Sequence, residues 1–150
     1  MIQYIKATPE DAKMLSETAK QSKQIWGYSS ELMKKWEEEL TVTEKHIEKN
    51  KVFKVYQNNI YIGFFSLVKF INWTEIGHFW ILPDYLRKGF GSVIFSKIIE
   101  IVTGYNEAIL EVYAEPNANG FYEKMGGEIH KQIGAKEKGR QMNVYRIQLK

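Results

Sequence analysis

The sequence predicts a single α/β domain built on a mixed sheet. Three observations carry this. Residues 51–82 contain three successive segments rich in Val, Ile, Phe and Tyr, helical spacing lies on either side of that run, and residues 73–114 read as strand, glycine-bearing loop, helix and strand. The length of 150 residues suits one domain with one sizeable core.

Residues 1–7 alternate in part and read as the first strand. Thr8 then offers a cap, Pro9 fits the first helical position, and Glu10 and Asp11 complement the helix dipole. The helix that starts there buries Ala12, Leu15 and Ala19. Residues 25–30 break the period at Trp26-Gly27-Tyr28. A second helix follows with Leu32, Met33, Trp36 and Leu40 at helical spacing, and Thr41 with Glu44 forms a capping box for a short third. Residues 51–57 and 60–69 are strands joined by the two-residue turn Asn58-Asn59, and residues 73–82 form a third strand ended by Pro83. Residues 91–102 return to helical spacing through Ile94, Phe95, Ile98 and Val102. Residues 108–114 are a buried strand, and 117–125 a short helix stopped by Gly126-Gly127. Residues 128–133 and 142–149 are closing strands joined by a Lys/Gly-rich loop. Leaving the short third helix uncounted, the order is β-α-α-β-β-β-α-β-α-β-β.

Composition narrows the function classes. The formal net charge of +3 is too small an excess to mark a nucleic-acid binder, though it would help draw in an anionic ligand. With no cysteine, a disulfide framework, a Cys-ligated zinc site and a cysteine nucleophile are excluded. No apolar run separates a basic start from a cleavage site, and no stretch approaches the roughly 20 apolar residues of a membrane span. The expectation is a cytoplasmic protein with no membrane partner.

The strongest local signal is Leu82-Pro83-Asp84-Tyr85-Leu86-Arg87-Lys88-Gly89-Phe90-Gly91-Ser92, between a strand and a helix. Glycines let backbone N–H groups approach an anion closely, the helix N-terminus adds a positive dipole end, and Arg87 and Lys88 add full charges. Together these features read as a pyrophosphate cradle. Neither a P-loop nor a dinucleotide fingerprint is present.

This segment resembles the acetyl-CoA signature of the GNAT N-acetyltransferases, Q/R-x-x-G-x-G/A. Residues 86–91 fall on its six positions, with Leu86 standing where the family usually has Gln or Arg. A second segment, residues 115–126, resembles in content the GNAT pattern N-x-x-A/G-x-x-F/Y-Y-x-K-x-G through Asn117, Gly120, Phe121, Tyr122, Lys124 and Gly126. Asn117 is also suited to cap the helix that follows it. The resemblance spans nearly the whole chain. It implies a mostly antiparallel sheet flanked by helices, and acetyl-CoA as co-substrate with no metal. The implied acceptor is a primary amine on a small molecule or peptide, and a homodimer is compatible with the family.

The resemblance also implies site residues. Backbone groups of Phe79 and Ile81 would hold the pantetheine arm and the acetyl carbonyl. Arg87, Lys88, Gly89, Phe90, Gly91 and Ser92 would hold the diphosphate, with Asn117, Phe121, Tyr122 and Lys124 also on the cofactor side. An amine such as lysine, with a pKa near ~10.4, must lose a proton before it attacks. Glu75 stands where some GNAT enzymes carry a base, and a bulge would bring His78 into that role instead. Each has an alternative reading, Glu75 as a surface charge and His78 as a packed histidine. Tyr122 is the candidate acid for the leaving thiolate. Trp26 and Tyr28 would either line the acceptor cleft or pack onto the sheet. The rival to an active enzyme is a catalytically silent coenzyme A-binding module on the same fold.

Overall fold

The computed structural model describes residues 1–134 and 141–149; the predicted Lys/Gly-rich loop falls on 135–140, outside the described residues. The strands are β1 (Ile2–Lys6), β2 (Lys51–Gln57), β3 (Ile60–Lys69), β4 (Thr74–Ile81), β5 (Ile109–Tyr113), β6 (Glu128–Gly134) and β7 (Gln141–Gln148). The helices are α1 (Ala12–Gln24), α2 (Ser30–Lys35), α3 (Glu37–Leu40), α4 (Glu44–Lys49), α5 (Phe90–Gly104) and α6 (Asn119–Lys124). Short 3-10 turns at Pro9–Asp11, Pro83–Tyr85 and Pro116–Ala118 precede α1, the bend before α5, and α6.

The fold is α/β with a seven-stranded, mostly antiparallel sheet in the order β1-β2-β3-β4-β5-β7-β6. β4 and β5 pair in parallel, while β1–β2, β2–β3, β5–β7 and β6–β7 are antiparallel. A parallel pair needs a long crossover, and α5 supplies it. Asn58 and Asn59 both adopt left-handed φ (51° and 68°), as a two-residue turn matched to strand twist requires.

Two predicted details change. The second helix breaks at Trp36 into α2 and α3. The cap of α4 is Thr43, whose Oγ1 accepts from the His46 N–H at 3.0 Å. Thr41 instead donates to the Glu37 carbonyl at 2.6 Å. Cap choice depends on where the preceding helix stops, and that stop is a packing outcome.

The chain forms two compact units, Met1–Leu67 with His78–Gly91, and Val68–Gly77 with Ser92–Lys150. In the first, Leu15 and Ala19 of α1 join Ala7, Leu40, Val42, Ile47, Val52 and Phe64 in one core, with Tyr61 and Trp80 against it. A buried Ser16 hydroxyl ties this layer together: it donates to the Ala12 carbonyl (2.8 Å) and accepts from the Val42 N–H (2.8 Å). In the second, Ile94, Phe95, Ile98 and Val102 of α5 are buried, as are Leu110, Val112, Val144, Tyr145 and Ile147 of β5 and β7. Among the described residues, no helix is long and apolar enough to cross a membrane.

Candidate functional site

In the first unit, β4 ends at Ile81 and the chain turns through Pro83–Tyr85. Two left-handed residues follow, Arg87 (φ 60°) and Gly89 (φ 85°), and α5 starts at Phe90. A left-handed arginine costs about 1–2 kcal/mol, so this backbone is held, not relaxed. At Gly89 a Cβ would meet nothing within 4 Å, so glycine is there for its backbone angle and not for room. Arg87, Lys88 and Gly89 are exposed. The Lys88 ammonium lies 5.8 Å from the centre of the Tyr85 ring, and Tyr85 is tilted against Phe90 at 6.3 Å. Gly91 and Ser92 sit inside the first turn of α5, where N–H groups lack intrahelical partners. A helix start flanked by two exposed cations attracts anions.

β4 is set by its neighbour. Leu82 N–H donates to the Ile62 carbonyl at 2.8 Å. At Gly63 a Cβ would lie 2.2 Å from the Trp80 carbonyl oxygen, so a side chain there would force the neighbouring backbone of β4 to shift. The Ile81 carbonyl accepts from the buried Ser22 hydroxyl at 3.0 Å. Ser22, which the sequence reading passed over, is thus a second anchor for the end of β4. Phe79 is half-buried in the same segment.

His78 is packed. Its ring meets His46 edge-on at 5.7 Å and Phe64 at 5.6 Å, and its Nδ1 accepts from the Trp80 indole at 3.1 Å. Burial, reinforced by His46, pushes its pKa down to about 4. With Nδ1 engaged, the neutral ring presents a donor at Nε2. This is the arrangement of a packed histidine, not of a base poised in a cleft.

Tyr28 is also engaged. Its ring meets Trp36 edge-on at 4.8 Å. The buried Lys23 ammonium lies 4.4 Å from the Trp36 ring centre and 5.3 Å from that of Tyr28. Tyr28, one of the two aromatics expected to greet a cationic acceptor, thus already holds the protein's own lysine together with Trp36. Trp26, by contrast, is exposed on the loop after α1.

In the second unit, Glu75 stands in register with Glu111 across the parallel β4–β5 pair, and Glu111 with Arg146 across β5–β7. Arg146 Nε donates to the buried Glu111 carboxylate at 2.7 Å. The guanidinium carbon lies 5.4 Å from the centre of the Trp73 ring. Glu75 is half-buried, and burial, then the Glu111 charge, raises its pKa above the usual carboxylate range.

Tyr122 lies in an aromatic layer with Phe121 (5.2 Å), Phe95 (6.1 Å) and Tyr145 (6.1 Å). Burial, then the charge of Glu115, raises its pKa, so the phenol keeps its proton. Gly127 N–H donates to the Tyr122 carbonyl at 2.8 Å, and a Cβ at Gly127 would lie 2.9 Å from that oxygen. Asn117 does not cap α6. Its N–H and side-chain amide donate to the Glu115 carboxylate at 2.6 Å and 3.3 Å, and the helix begins at Asn119. Counting the second pattern back seven residues from Tyr122 reaches Glu115, with Ala118 at its small-residue position. Asn117 and Gly120 are each two residues off it. Glu115 was the residue missed, and counting spacing in place of content would have found it. Asn117 and Lys124 are exposed and Phe121 half-buried.

The architecture is an α/β fold in which the parallel β4–β5 pair interrupts a mostly antiparallel sheet. The Acetyltransferase (GNAT) domain model matches residues 14–140, and the chain belongs to that family. No match to a curated protein sequence was found. Among solved structures, the chain is similar to the PaiA N-acetyltransferase of Thermoplasma acidophilum in complex with coenzyme A (18% identity, TM-score 0.79, 99% of each chain covered). It is also similar to the ribosomal-protein-S18-alanine N-acetyltransferase of Escherichia coli (15%, TM-score 0.73, covering 99% of this chain and 94% of that one). A third likeness is to the N-acetylglutamate synthase of Neisseria gonorrhoeae complexed with coenzyme A and N-acetyl-glutamate (15%, TM-score 0.73, covering 100% and 35%). At such identities these likenesses speak for the fold. Family and fold together support acyltransferase activity.

Proposed function

We propose that this chain is an N-acetyltransferase that moves the acetyl group of acetyl-CoA to a primary amine of a small molecule or peptide by direct attack. The observation that carries this reading is the bend before α5, with left-handed Arg87 and Gly89 and two exposed cations leading into a helix N-terminus. Such a bend suits a diphosphate, and two similar structures hold coenzyme A. In this reading Arg87, Lys88 and the amides of Gly89, Phe90, Gly91 and Ser92 bind the diphosphate. Phe79 and Ile81 hold the pantetheine arm through backbone groups, and Asn117, Phe121 and Lys124 lie on the cofactor side.

Glu75 takes a proton from the ammonium, directly or through water. The amine nitrogen then bonds to the thioester carbonyl carbon and gives up its second proton to water, the C–S bond breaks, and the Tyr122 hydroxyl protonates the departing sulfur. Tyr122 takes a proton back from solvent and Glu75 releases the one it accepted, for a net release of one proton per ammonium acetylated. Glu75 is preferred to His78 because its raised pKa moves it toward the working range of a base, whereas His78 is engaged with Trp80. The raised pKa of Tyr122 supports an acid that stays protonated. Trp26 is the acceptor-side aromatic retained, since Tyr28 is committed to Lys23.

The test has two stages. Acetyl-CoA is expected to raise the melting temperature by binding the folded state, and thiol release over a panel of small amines and peptide N-termini is expected to find a substrate. Stabilisation without thiol release from any amine would instead favour the silent coenzyme A-binding module. No stabilisation at all would refute the cradle.

A further inference from the structure

We infer that Glu111, clamped by Arg146, is a positioning residue for Glu75, tuning the group to which base work is assigned above. The inference rests on that assignment. The parallel register sets Glu75 beside Glu111, and the antiparallel register sets Glu111 beside Arg146. Paired residues of adjacent strands point to the same face, so the three side chains form a row. Glu111 is only 4% exposed, which a lone carboxylate would not tolerate. Its 2.7 Å bond to Arg146 Nε is what keeps a charge there, and Trp73 under the guanidinium holds the arginine in line.

Among the described residues, the other groups around Glu75 leave this pair as the charges that act on it. On β5, the next side chain on the Glu111 face is Tyr113, whose ring lies under Lys131 at 5.8 Å. On β6, Glu128 is in register with Arg146 on its far side. On β3, the Phe70 N–H to Trp73 carbonyl bond (2.8 Å) sets the ladder so that uncharged Val68 falls opposite Glu75. A carboxylate kept ionised beside Glu75 makes Glu75 hold its proton more tightly, which strengthens it as a base. Arg146 limits that effect, because it spreads and offsets the Glu111 charge.

The two partners therefore act in opposite directions, which a purely structural pair would not do. Glu111→Gln is expected to move the Glu75 titration to lower pH, and Arg146→Gln to move it to higher pH. The readout is an NMR titration of the Glu75 side-chain carboxyl in the protein without substrate, the signal assigned by its loss in Glu75→Gln. Shifts of the same sign, or none, would overturn the inference. Should one variant not fold, Arg146→Lys keeps the charge without the fork, and a Glu75 titration unchanged from wild type in it would count against the clamp. Activity is measured separately. If Glu75→Gln retains turnover and its acid limb, the base assignment fails, whereas unmoved titrations with a lost limb sink the tuning alone.

Discussion

The substitution Gly63→Ala tests how β3 and the end of β4 meet. Its Cβ would fall 2.2 Å from the Trp80 carbonyl oxygen, 3.0 Å from the Ile81 Cα and 3.2 Å from the Trp80 carbonyl carbon. Ordinary carbon contacts lie at about 3.5–4.0 Å, so β4 must retreat by roughly 1.3 Å or more. All three atoms are backbone, and no flexible side chain can swing aside. Overpacking of this kind costs about 1–3 kcal/mol, and the upper end applies where a hydrogen-bonded strand has to move. At about 2–4 °C per kcal/mol for a chain of this size, the melting temperature should fall by roughly 6–12 °C. With a urea m-value of about 2 kcal/mol/M, the midpoint should drop by roughly 1.5 M. The proposed pantetheine contacts at Phe79 and Ile81 move with the strand, so acetyl-CoA affinity should fall too. The control is Gly120→Ala. That glycine is helical and a Cβ there meets nothing within 4 Å, so the change should stabilise by about 0.5–1 kcal/mol. A Gly63→Ala protein melting within roughly 2 °C of wild type would refute the close approach.

Tyr122→Phe should lower turnover by about 100-fold with acetyl-CoA affinity nearly unchanged, read by thiol release and calorimetry; full turnover would remove its acid role. Gly89→Glu puts a bulky, negative side chain at φ 85° in the cradle and should weaken acetyl-CoA binding at least tenfold. Tight binding by that variant would move the cradle elsewhere. His78 contributes pH dependence. Its folded pKa of about 4 lies below the unfolded value of about 6.5, so its stabilisation is whole above pH ~6.5 and is lost as pH falls toward ~4, by up to about 3 kcal/mol. Urea midpoints between pH 7 and 4 should therefore decline, and His78→Gln should flatten the slope; an equal slope in the variant would show that other groups carry it.

The elements were legible because each has a local cause. The Asn58-Asn59 turn reads from two residues tolerant of left-handed φ, and both adopt it. The α5 face reads from Ile94, Phe95, Ile98 and Val102, all of which are buried. What escaped were choices among near-equals. Thr41 and Thr43 are both sound caps, and the break at Trp36 decides between them. Tyr28 looks available to a ligand in sequence, and only the approach of Lys23 and Trp36 shows it engaged. His78 reads equally as base or filler until His46, Phe64 and Trp80 close on it.

By itself, the sequence determined the order of the strands, the two helices that follow β4, the family signatures and the bend in front of α5, whereas the helices between β1 and β2 number four and not the two of the predicted order. Hydrophobic period, turn chemistry and glycine placement act over a few residues and leave their mark in the string. Tertiary structure alone decided the row of Glu75, Glu111 and Arg146, the Ser22 anchor at Ile81, and the need for glycine at position 63. These join residues 17 to 59 positions apart, where strand register and helix docking, not neighbouring letters, set the distance.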